Sequence, residues 1–133
     1  QEILVGTHNL TASSGNTFKI ALFTSSASLG AGTTAYSTSN EITNSSGTAY
    51  TAGGATLTSE TPTTDGTTAV CDFADVSYTS ASFTANGALI YNDTQSDKAV
   101  AVIAFGGDKT VSSGTFTIQF PTADASNAII RIA

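Results

Sequence analysis

Short apolar segments rich in Val, Ile, Phe, Tyr and Thr, each ended by Gly, Asn, Asp or Ser, follow one another from residue 17 onwards. In the first, 17–23 (TFKIALF), alternation places Phe18, Ile20 and Leu22 on one face of a strand. Segments with helical spacing are absent between these strands, which argues against alternating β and α units. The pattern predicts seven or eight strands in an all-β fold, a single-domain β-sandwich of the jelly-roll type over residues 1–133.

Two segments are apolar almost without interruption, 87–91 (GALIY) and 99–105 (AVAVIAF). Such runs are typical of central strands that are buried on both faces. The polar stretch 92–97 between them predicts a hairpin loop, and Gly106-Gly107-Asp108 predicts a second hairpin turn. The segment 115–120 then alternates Phe and Ile inward with Thr and Gln outward, and 128–132 (AIIRI) forms the last predicted strand.

Two regions depart from the strand pattern. In the N-terminal segment 1–10, Ile3, Leu4, Val5 and Leu10 favour one face of a short helix. The stretch 24–54 is a long loop region of Ser, Thr, Gly and Ala, in which Tyr36, Ile42 and Tyr50 stand as isolated anchors. A loop of this length is usually functional, so these three residues are the candidate partner interface. The alternative is a structural connection that its tyrosines hold in place.

The charge balance limits the partners that the chain can bind. There are 4 basic and 10 acidic residues, a net charge of -6, and the bases are scattered at positions 19, 98, 109 and 131. Nucleic acids and anionic membranes require clustered Lys and Arg, so neither is an expected partner. Apolar runs of a few residues are too short for a membrane-spanning helix, and 40% hydrophobic residues argue against a disordered chain.

The chain has one His and one Cys, so few side chains could form a nucleophilic catalytic site or a metal centre. His8 is the one imidazole and Cys71 the one thiol, whereas a structural zinc site needs three or four such ligands. A surface or capping role is the simpler interpretation of His8, and Cys71, inside an apolar pattern, is expected to be a buried small hydrophobe. The sequence predicts no metal and no cofactor.

Paired carboxylates are the remaining candidates for chemistry. Asp72 with Asp75, or Asp93 with Asp97, could form the acid and base of a glycosidase, and the second pair also resembles part of a calcium loop. There is no Trp to form a sugar platform, and a polar hairpin tip explains residues 92–97 more simply. The chain is therefore not expected to be an enzyme. Small, weakly charged strand residues instead suit a surface that contacts another protein.

The segments 81–105 (ASFTANGALIYNDTQSDKAVAVIAF), 106–121 (GGDKTVSSGTFTIQFP) and the closing AIIRIA resemble a family of small virion proteins of tailed bacteriophages. The family shares a TFKIAL-type strand followed by Ser/Thr/Gly stretches such as TAYSTSNEI and GTAYTAGGATL. The resemblance covers the chain from His8 onward and rests on strands and turns, with no catalytic motif.

The resemblance implies a capsid cement or decoration protein. Such a protein would assemble in the host cytoplasm, form a homodimer or homotrimer, and clamp neighbouring major capsid protein subunits on the capsid exterior of the virion. The N-terminal segment and the long loop would then reach the capsid or the sister subunits. The alternative is a tail-associated module of a fibre or baseplate, with a structural or host-glycan-binding role.

Overall fold

The computed structural model describes residues 2–43 and 49–133. These residues form seven strands and one short 3-10 helix at Asp93–Gln95. The strands are β1 (Phe18–Phe23), β2 (Ala55–Leu57), β3 (Thr63–Asp65), β4 (Thr68–Cys71), β5 (Val76–Asn92), β6 (Lys98–Ile118) and β7 (Ile130–Ile132). In this described part of the chain, no helix has the length and apolar character that crossing a membrane requires.

The strands form two antiparallel sheets, one of order β2-β1-β5-β6 and one of order β3-β4-β7. The predicted all-β, single-domain β-sandwich is confirmed. This strand order does not confirm the jelly-roll type. A core cluster of thirteen buried residues, which includes Phe18, Leu57, Phe73 and Ile118, lies against one face of the larger sheet.

The central strand β1 and residues 88–92 at the end of β5 are buried on both faces, which confirms the prediction for the apolar run 87–91. Phe18, Ile20 and Leu22 point into the main cluster, while Ala21 and Phe23 belong to a second cluster on the other face. The end of β5 divides in the same way, with Ile90 in the main cluster and Leu89 in the second. Their alternation gives the larger sheet an apolar layer on each side.

Strands β5 and β6 run antiparallel over most of their length and form a long ribbon. Residues 106–108 lie inside β6, so the predicted second hairpin turn there is wrong. The register passes from Ala85↔Lys109 to Gly87↔Ala104, so this stretch is accommodated as a bulge opposite Asn86. Gly106 and Gly107 take φ values of 72° and 142°, which glycine adopts most readily. The segments 99–105 and 115–118, which belong to separate strands in the prediction, are therefore parts of the single strand β6.

The prediction of a short N-terminal helix is also wrong. Residues 2–6 form a single turn, in which the Gly6 N–H donates to the Ile3 carbonyl and the Thr7 N–H to the Glu2 carbonyl. Gly6 has φ of 74°, so the turn ends there in the manner of a helix C-terminus before a second turn can form. Leu4 and Val5 are 80% and 67% exposed, so they do not share a buried face.

Candidate partner interface

The outer side of β6 is the longest open sheet edge in the described part of the chain. β6 has 21 residues, whereas the edge strands β2, β3 and β7 have three residues each. The long loop covers the start of β6, where the Ala99 N–H donates to the Thr34 carbonyl at 3.0 Å. From residue 100 to residue 118, no other described segment pairs with this side. Open backbone groups of this kind can pair with a further strand.

The apolar run 99–105 lies on this edge, which contradicts its predicted place as a central strand. None of these residues is buried, and Val102 is 36% exposed. Ile103 and Phe105 pack against the main cluster on one side and remain partly exposed on the other. A sequence suited to burial on both faces therefore stands half exposed, which marks the edge as a contact surface.

An apolar groove runs beside the second half of β6, with a volume of about 650 Å³. The Phe116 ring lies on this groove, 6.2 Å from the ring of Phe105 and 5.1 Å from the ring of Phe83, measured between centroids. Phe83 in turn contacts Tyr50 in the core. The groove is thus backed by packed aromatic rings. Its apolar lining consists of Ile103, Phe105, Phe116, Ile118, Phe120 and Ile129, together with Pro121.

Lys109 lies at the same groove and is the one cation in residues 2–43 and 49–133 that has no described ionic or hydrogen-bonding partner. Lys19 pairs with Asp93 at 2.8 Å, and Lys98 pairs with Glu2. Arg131 donates to the carbonyls of Ala125 and Ser126. Lys109 therefore gives a mostly apolar groove, whose other polar lining residues are uncharged, a single positive charge.

The structure does not bring Tyr36, Ile42 and Tyr50 together as a surface. Ile42 and Tyr50 are 4% and 1% exposed and belong to the main cluster, so their prediction as interface residues is wrong. Tyr36 is partly exposed and stacks on Tyr91, with centroids 4.5 Å apart. Large apolar side chains in a loop are stabilised by burial, which is why these anchors point inward. Their arrangement matches the alternative of a structural connection.

A buried carboxylate organises this part of the loop. Glu41 accepts hydrogen bonds from the hydroxyls of Tyr36 (2.6 Å) and Tyr50 (2.5 Å) and from the Gly53 N–H (2.7 Å). Burial and the bond to Glu41 hold the pKa values of both tyrosines well above their usual value. Burial also raises the pKa of Tyr91, whose hydroxyl donates to the Gly53 carbonyl. The network is structural, and each tyrosine remains protonated at neutral pH.

The first pair of carboxylates, Asp72 and Asp75, binds backbone groups, and Asp93 of the second pair binds a lysine. Asp72 is buried and accepts from the N–H groups of Phe73 (2.9 Å) and Ile129 (3.4 Å). Asp75 accepts from the Phe120 N–H at 2.8 Å. Asp93 pairs with Lys19 at the hairpin loop, where Asp97 has φ of 58°. Asp72, Asp75 and Asp93 thus each have a described partner that ties one chain segment to another.

His8 and Cys71 are both buried, which confirms the prediction for Cys71 and contradicts a surface position for His8. His8 Nδ1 lies 3.0 Å from Asn92 Nδ2, and its Nε2 lies 3.4 Å from Glu2. Burial raises the pKa of the Cys71 thiol to about 11, so the thiolate is disfavoured. Among the described residues, no three His, Cys, Asp or Glu side chains form a group that could hold a metal ion.

No protein-family model, curated protein or solved structure matches this chain. The candidate site is therefore defined by the geometry of β6. Sequence reasoning identified Phe116 and Ile118 as inward residues but missed the exposed edge, because an apolar run has the same pattern in a central strand and in an edge strand that awaits a partner. Lys109 gave no signal in the sequence, because it follows a predicted hairpin turn and is one of four scattered basic residues.

Proposed function

We propose that this chain is a structural virion protein, a capsid cement or decoration protein of a tailed bacteriophage. It binds the outside of the head as a homodimer or homotrimer and clamps neighbouring major capsid protein subunits. The proposal joins the sequence resemblance to one structural observation, the long open edge of β6 with its half-exposed apolar residues. That surface is suited to protein contact over an extended strand.

The physical requirements of a clamp fit such a surface. A packaged genome presses outward, and a cement protein resists by distributing the load over many copies. A specific interface buries roughly 1,000 Å² or more, which a strand edge with an adjoining groove can approach. The acidic net charge of -6 keeps unbound copies apart from one another and in solution before assembly.

Quantitative mass spectrometry of purified heads and a cryo-electron microscopy map test this function together. We expect copies in fixed stoichiometry with the major capsid protein and density on the outer surface of the shell. Heads that lack the protein should regain resistance to heat when the purified protein is added. Density on the tail, or heads without stoichiometric copies, would contradict the proposal, and the first of these outcomes would assign the chain to a fibre or baseplate.

A further inference from the structure

We propose that the second half of β6, residues 109–118, binds an extended segment of another protein as an added β-strand. The segment carries apolar side chains on its groove side and a carboxylate that pairs with Lys109. This inference deepens the proposed function and rests on it for the identity of the partner, a neighbouring capsid subunit. The recognition chemistry itself follows from the edge, the groove and the charge.

The backbone of residues 109–118 is available on its outer side. β5 occupies the inner side, with Val111 opposite Phe83 and Phe116 opposite Tyr78. Among its described residues, the long loop forms backbone pairs with β6 only near residues 98 and 99, and its residues 29–33 share a cleft with β6 no further than Ala104. β6 has one extra residue at 112–113, where Ser113 has φ of 47°. An added strand would therefore pair on both sides of this bulge without displacing any described segment.

The groove would select the side chains at every second position of the added strand. Lys109, Phe116, Thr117 and Ile118 line the groove, whereas Thr110 is an exposed residue outside its lining. The extra residue at 112–113 brings Lys109 to the same face as Phe116 and Ile118. Successive side chains of an added strand point to opposite faces, so every second residue meets this face. Apolar residues at those positions would cover the rings of Phe105 and Phe116.

Charge complementarity determines the class of occupant. Lys109 has no ion-pair partner among the described residues, and it is the single charged group that lines the groove. A partner with an acidic residue at this point compensates the ammonium, while a basic residue is repelled. A second copy of this chain is the less complementary occupant, because both copies carry the same net charge of -6.

A pair of synthetic C-terminally amidated peptides tests the recognition directly, VTVTVTVTDT and VTVTVTVTKT, which differ only at the ninth residue, the one that a strand antiparallel to residues 109–118 places opposite Lys109. Amide hydrogen exchange and chemical shifts of the full chain are followed by NMR as each peptide is added. We expect the Asp peptide to slow exchange along residues 109–118 and to bind about five- to tenfold more tightly than the Lys peptide. The variant Lys109→Glu should reverse this preference, and Lys109→Arg should keep it.

Thr64→Glu provides the matched control, since it adds a negative charge at an exposed position on β3, outside the groove. It should leave the preference for the Asp peptide unchanged. Equal binding of the two peptides, unaltered exchange along residues 109–118, or a preference that survives Lys109→Glu would each overturn the inference. Concentration-dependent protection of these amides without peptide would place a second copy at the edge and would also overturn it.

The two proposals fail separately. Protein that discriminates between the peptides but does not bind purified heads would retain this recognition site and contradict the capsid function. If the wild-type protein and the Lys109→Glu variant bound heads equally well, the capsid function would be retained and this site would be contradicted. Binding to heads that is weakened by Lys109→Glu and preserved by Lys109→Arg supports both.

Discussion

The hydroxyl of Tyr50 donates a 2.5 Å hydrogen bond to Oε1 of Glu41 and accepts a 3.0 Å bond from the backbone N–H of Leu22. Leu22 lies in the central strand β1, and Glu41 lies in the long loop. One buried side chain therefore joins the loop to the middle of the larger sheet. A buried carboxylate is costly unless donors surround it, and here Tyr36, Tyr50 and Gly53 supply them.

Tyr50→Phe should lower the free energy of unfolding by about 1–3 kcal/mol, because it removes a donor from Glu41 and an acceptor from the Leu22 N–H inside the core. Urea denaturation followed by circular dichroism measures the change. Tyr78→Phe is the matched control, since the buried Tyr78 hydroxyl bonds backbone groups, with a long 3.5 Å bond to the Ile20 carbonyl, and does not bond Glu41. Equal losses in the two variants would contradict the role given to Glu41.

Alkaline pH should destabilise the fold through its tyrosines. Burial raises the pKa of Tyr78 to about 12, and burial also raises the pKa values of Tyr36, Tyr50 and Tyr91 above the unfolded value of about 10. Above pH 10 the unfolded chain loses phenolic protons that the folded chain retains. The stabilisation is therefore complete below about pH 10 and declines as the pH rises, by up to ~1.4 kcal/mol per pH unit for each tyrosine.

Tyrosinate absorbance and urea denaturation between pH 8 and pH 12 measure this effect, and the absence of Trp keeps the spectrum simple. Phenol ionisation should coincide with unfolding. Ionisation of all four tyrosines near pH 10 in a chain that remains folded would contradict the burial that the structure shows.

The fold class could be predicted from the sequence because the alternation of apolar and polar residues along a strand is a local property of the chain. Phe18, Ile20 and Leu22 face the main cluster as predicted. The prediction of a hairpin turn at Gly106-Gly107 was wrong, since glycine permits a bulge within a strand as readily as a reversal between strands. Local residue types do not distinguish these two outcomes.

The candidate site was harder to predict because it depends on strand order. The runs 87–91 and 99–105 have the same apolar character, yet the first is central and the second is at an edge. Which strand has a neighbour on both sides is settled by the whole sheet. For the same reason Tyr50 looked like an isolated loop residue, although Glu41 and Leu22 surround it in the fold.

Gly54→Ala should destabilise the protein strongly. Gly54 has φ of +76°, and a Cβ there would lie 1.9 Å from the Ile20 carbonyl oxygen in β1. Because the obstacle is backbone of a central strand, the loop would have to move, at a cost of several kcal/mol, on the order of the largest single-residue effects. The thermal midpoint measures the loss.

Gly53→Ala is the matched control for Gly54→Ala. Its φ is +90°, but its Cβ would meet only the Tyr91 hydroxyl at 3.6 Å. We expect it to cost about 1–2 kcal/mol, the penalty for a side chain in left-handed backbone. A Gly54→Ala variant as stable as Gly53→Ala would show that the loop does not press against β1.

Asp72→Ala should release the C-terminal strand before the rest of the fold. The carboxylate of Asp72 accepts from the N–H of Ile129, next to β7, and from its neighbour Phe73. Removing it leaves these groups without their acceptor in a buried region, which costs about 1–3 kcal/mol. Amide hydrogen exchange should accelerate at residues 129–132 more than in β1. Asp72→Asn, which keeps one acceptor oxygen, should show a smaller effect, and uniform acceleration throughout both sheets would contradict this local role.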